Sequence, residues 1–180
     1  ASDVYKRQLL YHYTRKTQQE GRPCFFVSYS RIGKFRDAFC QVVKQYGIRR
    51  MFNLLQSLDL KHICPDDHAW VKLGKRAGSP YELALALKGS MLSEENFEAF
   101  LRLVAHHTKG RIELIVDNLE NLWSFMTKWQ RERFLVFLGR LLRVPFLLLI
   151  LPMPMGFKET LIEPLYFPNI RELIPHSMFS

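Results

Sequence analysis

The chain has 180 residues, of which 48% are hydrophobic and 24% charged, and its formal net charge is +9. This length and composition are typical of one globular domain with a substantial core, and they exclude a disordered or low-complexity chain. The basic balance permits contact with nucleic acid or an acidic surface without establishing either, because the Lys and Arg residues are scattered. The cysteine count of three is odd and no secretory segment is recognisable, so we expect a reducing, cytoplasmic location.

The first eight residues have an unusual sequence. Asp3-Val-Tyr-Lys-Arg-Gln8 reads back, in one frame, as the end of a common sequencing adapter. We therefore expect residues 1–8 to be an artefact of library construction and the natural sequence to begin near Leu9; a genuine N-terminus is the alternative. An unselected segment should make few tertiary contacts, so Tyr5 should not be buried in the core.

The first part of the chain predicts a helix end, a strand and a long helical block. Leu9 to Gln19 reads as the last turns of a helix that Gly21 ends. Pro23 to Tyr29 is a short β-rich run. Between Arg31 and Lys109 the pattern is helical, with helix starts indicated at Ser79-Pro80 and Ser93-Glu-Glu.

Two further strands and a helix between them follow. Ile112–Val116 and Pro145–Leu151 are apolar strands, about Thr127 to Arg143 is helical, and Leu165–Phe167 is a possible short final strand. Strands that are apolar throughout and separated by helices predict an α/β fold with a parallel sheet covered by helices. A helical block lies between the strand at Pro23 to Tyr29 and the strand that ends in Asp117. We expect the neighbouring parallel strands to be Cys24–Val27, Ile112–Val116 and Leu147–Ile150.

The most informative motif is Ile112-Glu-Leu-Ile-Val-Asp-Asn-Leu-Glu120, an apolar run that ends in Asp117 and carries a second acid three residues later. A parallel strand of this kind delivers a carboxylate to the crevice at the carboxyl edge of its sheet. The alternative is an ordinary buried strand whose terminal acid caps the next helix. The residues by themselves leave both interpretations open.

Two other segments have simpler interpretations. His62 to His68 contains metal-ligand residue types, but no second Cys or His pair has zinc-site spacing, so a polar connection between helices is favoured. Phe134 to Met155 is the most apolar stretch, and Arg140, Arg143 and Pro145 interrupt it. No run approaches the length of a membrane span, so we expect no membrane contact.

The order of these elements resembles the ATPase core of P-loop NTPases of the AAA+ and STAND type, from just after the phosphate loop onward. Under this resemblance residues 9–176 are a partial P-loop NTPase-like domain, and residues 177–180 begin a missing lid. Leu9–Arg15 corresponds to the body of the phosphate-loop helix and Ile112–Glu120 to the Walker B segment. Leu147–Leu151 corresponds to the sensor strand, and Phe167–Leu173 leads into the lid.

The chain departs from the family pattern in several ways. It contains no Gly-x4-Gly-Lys-Ser/Thr loop, because Ser28 precedes Gly33-Lys34 where a glycine is needed and Phe35 follows where a hydroxyl is needed. Asn118 stands where many relatives carry Glu or Asp. The strand that would hold the sensor ends in Leu151-Pro-Met-Pro without an evident sensor residue, and no arginine finger can be assigned.

The resemblance implies a fragment of an ATP-binding, ATP-hydrolysing domain that couples nucleotide state to action on nucleic acid or a protein partner. Asp117 would organise Mg²⁺ beside ATP, and Glu120, or less favourably Asn118, would orient or activate water. The intact parent would then be an ATPase, and this fragment an inactive part of it. The rival hypothesis is a non-catalytic α/β interaction or DNA-binding module, in which Asp117 and Glu120 only cap a helix.

Overall fold

The computed structural model describes residues 2–29, 35–88, 93–154 and 156–157. Its helices and strands, in chain order, are α1 Ser2–Gln19, β1 Cys24–Ser28, α2 Phe35–Tyr46, α3 Ile48–Ser57, α4 His68–Arg76, α5 Pro80–Leu87, α6 Glu94–Thr108, β2 Ile112–Asp117, α7 Leu119–Phe125, α8 Lys128–Leu141 and β3 Leu147–Ile150. Two 3-10 turns, Leu60–His62 and Pro65–Asp67, connect α3 to α4. The expected strand at 165–167, the segment leading to the lid and the lid start at 177–180 lie outside the described residues.

The three strands form one parallel sheet in the order β1-β2-β3. The register places Cys24 beside Glu113 and Ser28 beside Asp117, so β1 and β2 end at the same level. The prediction of three neighbouring parallel strands is confirmed, and the chain belongs to the α/β class. Every residue of β2 is buried, because this strand is central and helices pack over it.

Helices cover both faces of β1. Tyr11 of α1 contacts the ring of Phe26, with 5.2 Å between ring centroids, and Tyr46 of α2 contacts Phe25 at 6.1 Å. Successive strand residues point to opposite faces of a sheet, so α1 and α2 lie on opposite sides. The expected cover is less complete over β3, whose four residues are all partly exposed.

The outer edge of β1 is closed by side chains rather than by another strand. The amide of Gln45 accepts a hydrogen bond from the backbone N–H of Phe26 at 2.8 Å and donates to the carbonyl oxygen of the same residue. Gln41 accepts from the N–H of Ser28 at 3.3 Å. These two glutamines form hydrogen bonds with the backbone N–H and C=O groups to which a further strand would pair. This protects the edge of β1 from pairing with other chains.

The helix starts follow the local chemistry of the sequence. Ser79 accepts a hydrogen bond from the N–H of Glu82, and Ser93 accepts one from Asn96. Thr127 and Gln130 form a reciprocal capping box at the start of α8. Each hydroxyl satisfies an N–H group that the first turn of a helix leaves free, so the predicted starts of α5 and α6 are confirmed.

Helices α3 and α4 approach each other closely at Gly74. A Cβ atom built on Gly74 would lie 2.3 Å from Cβ of Leu55 on α3, so only a residue without a side chain fits there. Gln56 then reaches across and donates from Nε2 to the carbonyl oxygen of Gly74. The contact fixes α4 against α3 and brings Trp70 into the aromatic core of the helical block, 5.9 Å from the ring of Phe39.

A buried carboxylate ties α1 to the amino edge of the sheet. Glu113 of β2 is wholly buried and accepts a hydrogen bond from Tyr13 Oη at 2.9 Å. Arg111 lies 2.8 Å and Arg22 3.8 Å from the same carboxylate. Burial, followed by the hydrogen bond to Glu113, raises the pKa of Tyr13. Glu113 interrupts the apolar run of β2, and the sequence alone indicated no role for it.

Helix α1 begins at Ser2 and therefore includes most of the suspected artefact. Val4 is 61% and Tyr5 53% exposed, so neither side chain belongs to the core. Such exposure is expected of an unselected extension and equally of a natural solvent-facing helix. Within the part of the chain that the structure describes, no helix combines the length and the apolar character needed to cross a bilayer.

Candidate functional site

The candidate site lies at the carboxyl edge of the sheet. Asp117 is the last residue of β2, and its carbonyl oxygen accepts a hydrogen bond from the backbone N–H of Tyr29 at 3.1 Å. Its neighbour in register, Ser28, is the last residue of β1. In open parallel sheets the crevice outside the carboxyl ends of the strands is where ligands bind. Asp117 therefore has the position along its strand that the sequence predicted.

Asp117 is largely buried, but its carboxylate oxygens are not enclosed. The residue is 9% exposed, and among the described residues its side chain makes no hydrogen bond or ion pair. Its oxygens are not among the fully buried side-chain atoms that lack a partner. The carboxylate therefore keeps contact with solvent at this edge, where a ligand can reach it.

Asn118 forms the turn between β2 and α7. Its backbone is left-handed, with φ 58°, a conformation that Asn tolerates better than most residues. Its Nδ2 donates to Ser28 Oγ at 3.2 Å, which links the ends of β1 and β2. Asn118 is also the N-cap of α7, and its side chain makes no capping bond. The interpretation in which Asp117 caps the following helix is therefore wrong, because Asn118 occupies the cap position.

Glu120 lies in the first turn of α7, beyond the turn at Asn118. Its Oε2 atom is buried and has no hydrogen-bond partner among the described residues. A negative charge at a helix N-terminus is favourable, but this does not replace the hydrogen bonds that a buried carboxylate oxygen loses. Two acids three residues apart therefore flank the turn at this edge, and Glu120 Oε2 is the buried, unsatisfied oxygen of the pair.

The chemistry of this pair matches a hard divalent cation. Mg²⁺ is typically bound through one or two carboxylates while water and phosphate oxygens complete its octahedral shell. No group of three or more His, Cys, Asp or Glu side chains is arranged to hold a metal in the described parts of the chain. Asp117 and Glu120 supply carboxylate oxygens at this edge, which are the ligand type that Mg²⁺ takes.

Helix α1 is longer than the sequence indicated. Asp117 was expected beside the start of the helix that contains Leu9, and that helix begins at Ser2. At the amino edge of the sheet, Tyr13 Oη donates to Glu113, and Gln18 Nε2 donates to the carbonyl oxygen of Cys24. The closeness of the start of α1 to Asp117 stays a prediction.

The segment from His62 to His68 serves as a connection between helices. Asp67 is 3% exposed and accepts two hydrogen bonds from Arg102 of α6, at 2.6 and 3.2 Å. His68 Nε2 lies 3.2 Å from the carbonyl oxygen of Ile63. Because Arg102 pairs with the Asp67 carboxylate, that carboxylate is engaged in a protein contact rather than free for a metal. The interpretation as a polar connection between helices accounts for these contacts.

Sequence reasoning missed Ser28 as a member of the site. Its hydroxyl lies at the same edge as Asp117 and accepts the hydrogen bond from Asn118. A polar residue at the end of an otherwise apolar strand was the available signal, since the carboxyl ends of parallel strands meet at one edge.

Comparison of the chain with protein-family models, with curated proteins and with solved structures finds no significant match in any of the three.

Proposed function

We propose that this chain is part of an ATP-binding, ATP-hydrolysing domain of the AAA+/STAND type, and that Asp117 and Glu120 form the magnesium side of its nucleotide site. One observation carries the proposal. The central strand of a parallel sheet ends in a largely buried acid whose carboxylate keeps solvent contact and has no protein partner among the described residues. Selection for stability would pair or remove such a group, whereas a site for a cation and phosphate requires it.

The residues divide the work as follows. Asp117 holds Mg²⁺, directly or through water. Glu120 accepts a hydrogen bond from the attacking water and orients it. Asn118 cannot transfer a proton as a carboxylate does, so its part is to hold the turn in place through Ser28. A bound Mg²⁺ would supply positive charge that offsets the negative charge of the phosphate groups.

No Walker A motif lies within the 180 residues. A phosphate site needs backbone N–H groups and a lysine that the two acids cannot supply. The 180 residues by themselves should therefore bind nucleotide poorly, and ATP-driven action on a nucleic acid or protein partner needs a phosphate-binding loop in addition.

A stability measurement on the 180-residue chain tests whether Asp117 is a binding group or a structural one. Replacing the Asp117 carboxylate with the isosteric amide breaks no hydrogen bond or ion pair among the described residues and removes a partly desolvated charge. We therefore expect Asp117→Asn to keep the free energy of unfolding or to raise it by up to about 1 kcal/mol. Asp67→Asn is the control, since Asp67 is also buried but is paired with Arg102, and we expect a loss of about 1–3 kcal/mol. A loss in both variants would show that Asp117 has a structural partner and would remove the basis of the proposal.

Activity is tested in a longer chain, extended upstream of Leu9 with the sequence of the source DNA. Glu120→Gln should preserve Mg²⁺-dependent ATP binding and slow hydrolysis by about 10²–10⁴-fold, while Asp117→Ala should weaken the magnesium dependence itself. Glu132→Gln on α8 is the control for loss of one carboxylate. If hydrolysis is the same with both acids replaced, the non-catalytic α/β module becomes the better description.

A further inference from the structure

Helices α3 and α4 together present a surface rich in cations, which we call the α3/α4 basic surface. The exposed residues of α3 are Arg49, Arg50, Asn53, Gln56 and Ser57, and those of α4 are Ala69, Lys72, Lys75 and Arg76. Five are cationic, three are neutral hydrogen-bonding residues and one is a small alanine, and none is acidic or a large apolar residue. The two helices therefore concentrate five positive charges that the sequence spreads over 28 positions.

The two helices form one continuous surface because of their close approach. Gly74 contacts Leu55, and Gln56 on the exposed side of α3 donates to the carbonyl oxygen of Gly74 in the last turn of α4. Lys75 and Arg76 follow directly in that turn. The exposed stripe of α3 that runs from Arg49 through Gln56 therefore continues into the cations of α4.

Within the described parts of the chain, no acid forms an ion pair with any of these five cations. The exposed Asp66, in the turn before α4, accepts a weak hydrogen bond from Cys64 Sγ at 3.9 Å. Asp59, just after α3, accepts from the backbone N–H of Lys61 and lies 3.4 Å from His62. Asp67, just before α4, is held by Arg102 on α6. Their carboxylates are directed into local turns and into the core, so the cations of the surface remain available to an external anion.

We propose that the α3/α4 basic surface binds the sugar–phosphate backbone of duplex nucleic acid. Lys and Arg together with Asn, Gln and Ser side chains are the groups that contact phosphates in such interfaces. A membrane-surface helix would instead expose large apolar side chains beside its cations, and the exposed residues of α3 and α4 include none of these. The surface also contains no exposed aromatic ring for stacking on single-stranded bases, so contact with duplex phosphates is the binding mode that fits it. The inference is independent of the nucleotide site, since it uses neither Asp117 nor Glu120.

The test is binding of a short fluorescent DNA duplex to the 180-residue chain, followed by anisotropy without nucleotide at several salt concentrations. In the triple variant Lys72→Gln, Lys75→Gln, Arg76→Gln we expect binding to weaken about tenfold or more at low salt. The slope of log K against log salt should become shallower by about 2 to 3, roughly one for each lost phosphate contact.

The control is the triple variant Arg15→Gln, Lys16→Gln, Lys128→Gln, which removes the same net charge from exposed residues elsewhere. It should bind almost as the parent chain does. Both variants should melt within about 2 °C of the parent, because surface substitutions change stability little. If duplex binding weakens equally in the two triple variants, the loss of binding follows from net charge alone, and the proposal is overturned. Absence of duplex binding by the parent chain, or binding only to vesicles of anionic lipid, would also overturn it.

Discussion

Replacing Gly74 with alanine tests the helix contact on which both the core and the α3/α4 basic surface depend. The new Cβ would lie 2.3 Å from Leu55 Cβ and 2.9 Å from its Cδ1, whereas carbon atoms in contact lie about 3.5–4.0 Å apart. The helices must therefore separate by roughly 1–1.5 Å, which weakens the packing around Leu55 and the hydrogen bond from Gln56. Overpacking of this kind costs about 1–3 kcal/mol, and the better helix propensity of alanine offsets about 0.5–1 kcal/mol.

The expected net loss is about 1–2 kcal/mol, equivalent to a fall of roughly 2–8 °C in melting temperature for a chain of this size. Gly139→Ala is a matched control, because Gly139 also lies inside a helix, α8, and a Cβ there meets nothing within 4 Å. It should gain about 0.5–1 kcal/mol. Thermal unfolding followed by circular dichroism separates the two variants by the sign of the shift. If both substitutions raise the melting temperature, α3 and α4 do not approach each other as described here.

Three further substitutions test other contacts. Glu113→Gln removes the charge that pairs with Arg111, so urea unfolding should show a loss of about 1–2 kcal/mol, and unchanged stability would contradict a structural role for this carboxylate. Burial raises the pKa of the Cys24 thiol to about 11, so the folded chain keeps the proton that the unfolded chain releases above its ordinary value of 9.0. Between pH 9.0 and about 11, the free energy of unfolding of the parent chain should fall by up to about 2 kcal/mol relative to that of Cys24→Ala, with no further relative fall at higher pH. If the two free energies, measured in reducing buffer, change with pH in parallel, this expectation is refuted. Gln45→Ala exposes the edge of β1 at Phe26, so stability should fall by about 1 kcal/mol and light scattering should detect self-association; a monomer of unchanged stability would refute the edge role.

The candidate site could be predicted only in part. Asp117 was identifiable because an acid that directly follows an apolar strand has few local explanations. The roles of its neighbours were not identifiable, because they depend on the backbone turn at Asn118 and on which side chain of β1 lies opposite. Ser28 is 90 residues away from Asn118 in sequence, and only the parallel register makes them neighbours.

Features that arise from short-range chemistry could be predicted from the sequence. The three apolar strands, the helix starts at Ser79 and Ser93 and the α/β class follow from hydrophobic pattern and capping residues, which act over a few positions. Features that depend on distant partners could not be predicted in this way. The packing of the helices and strands buries Glu113 against Tyr13, covers most of Asp117 and joins the scattered cations of α3 and α4 into one surface. The physical reason is that burial and charge pairing are set by the packing of whole elements, which a local pattern does not encode.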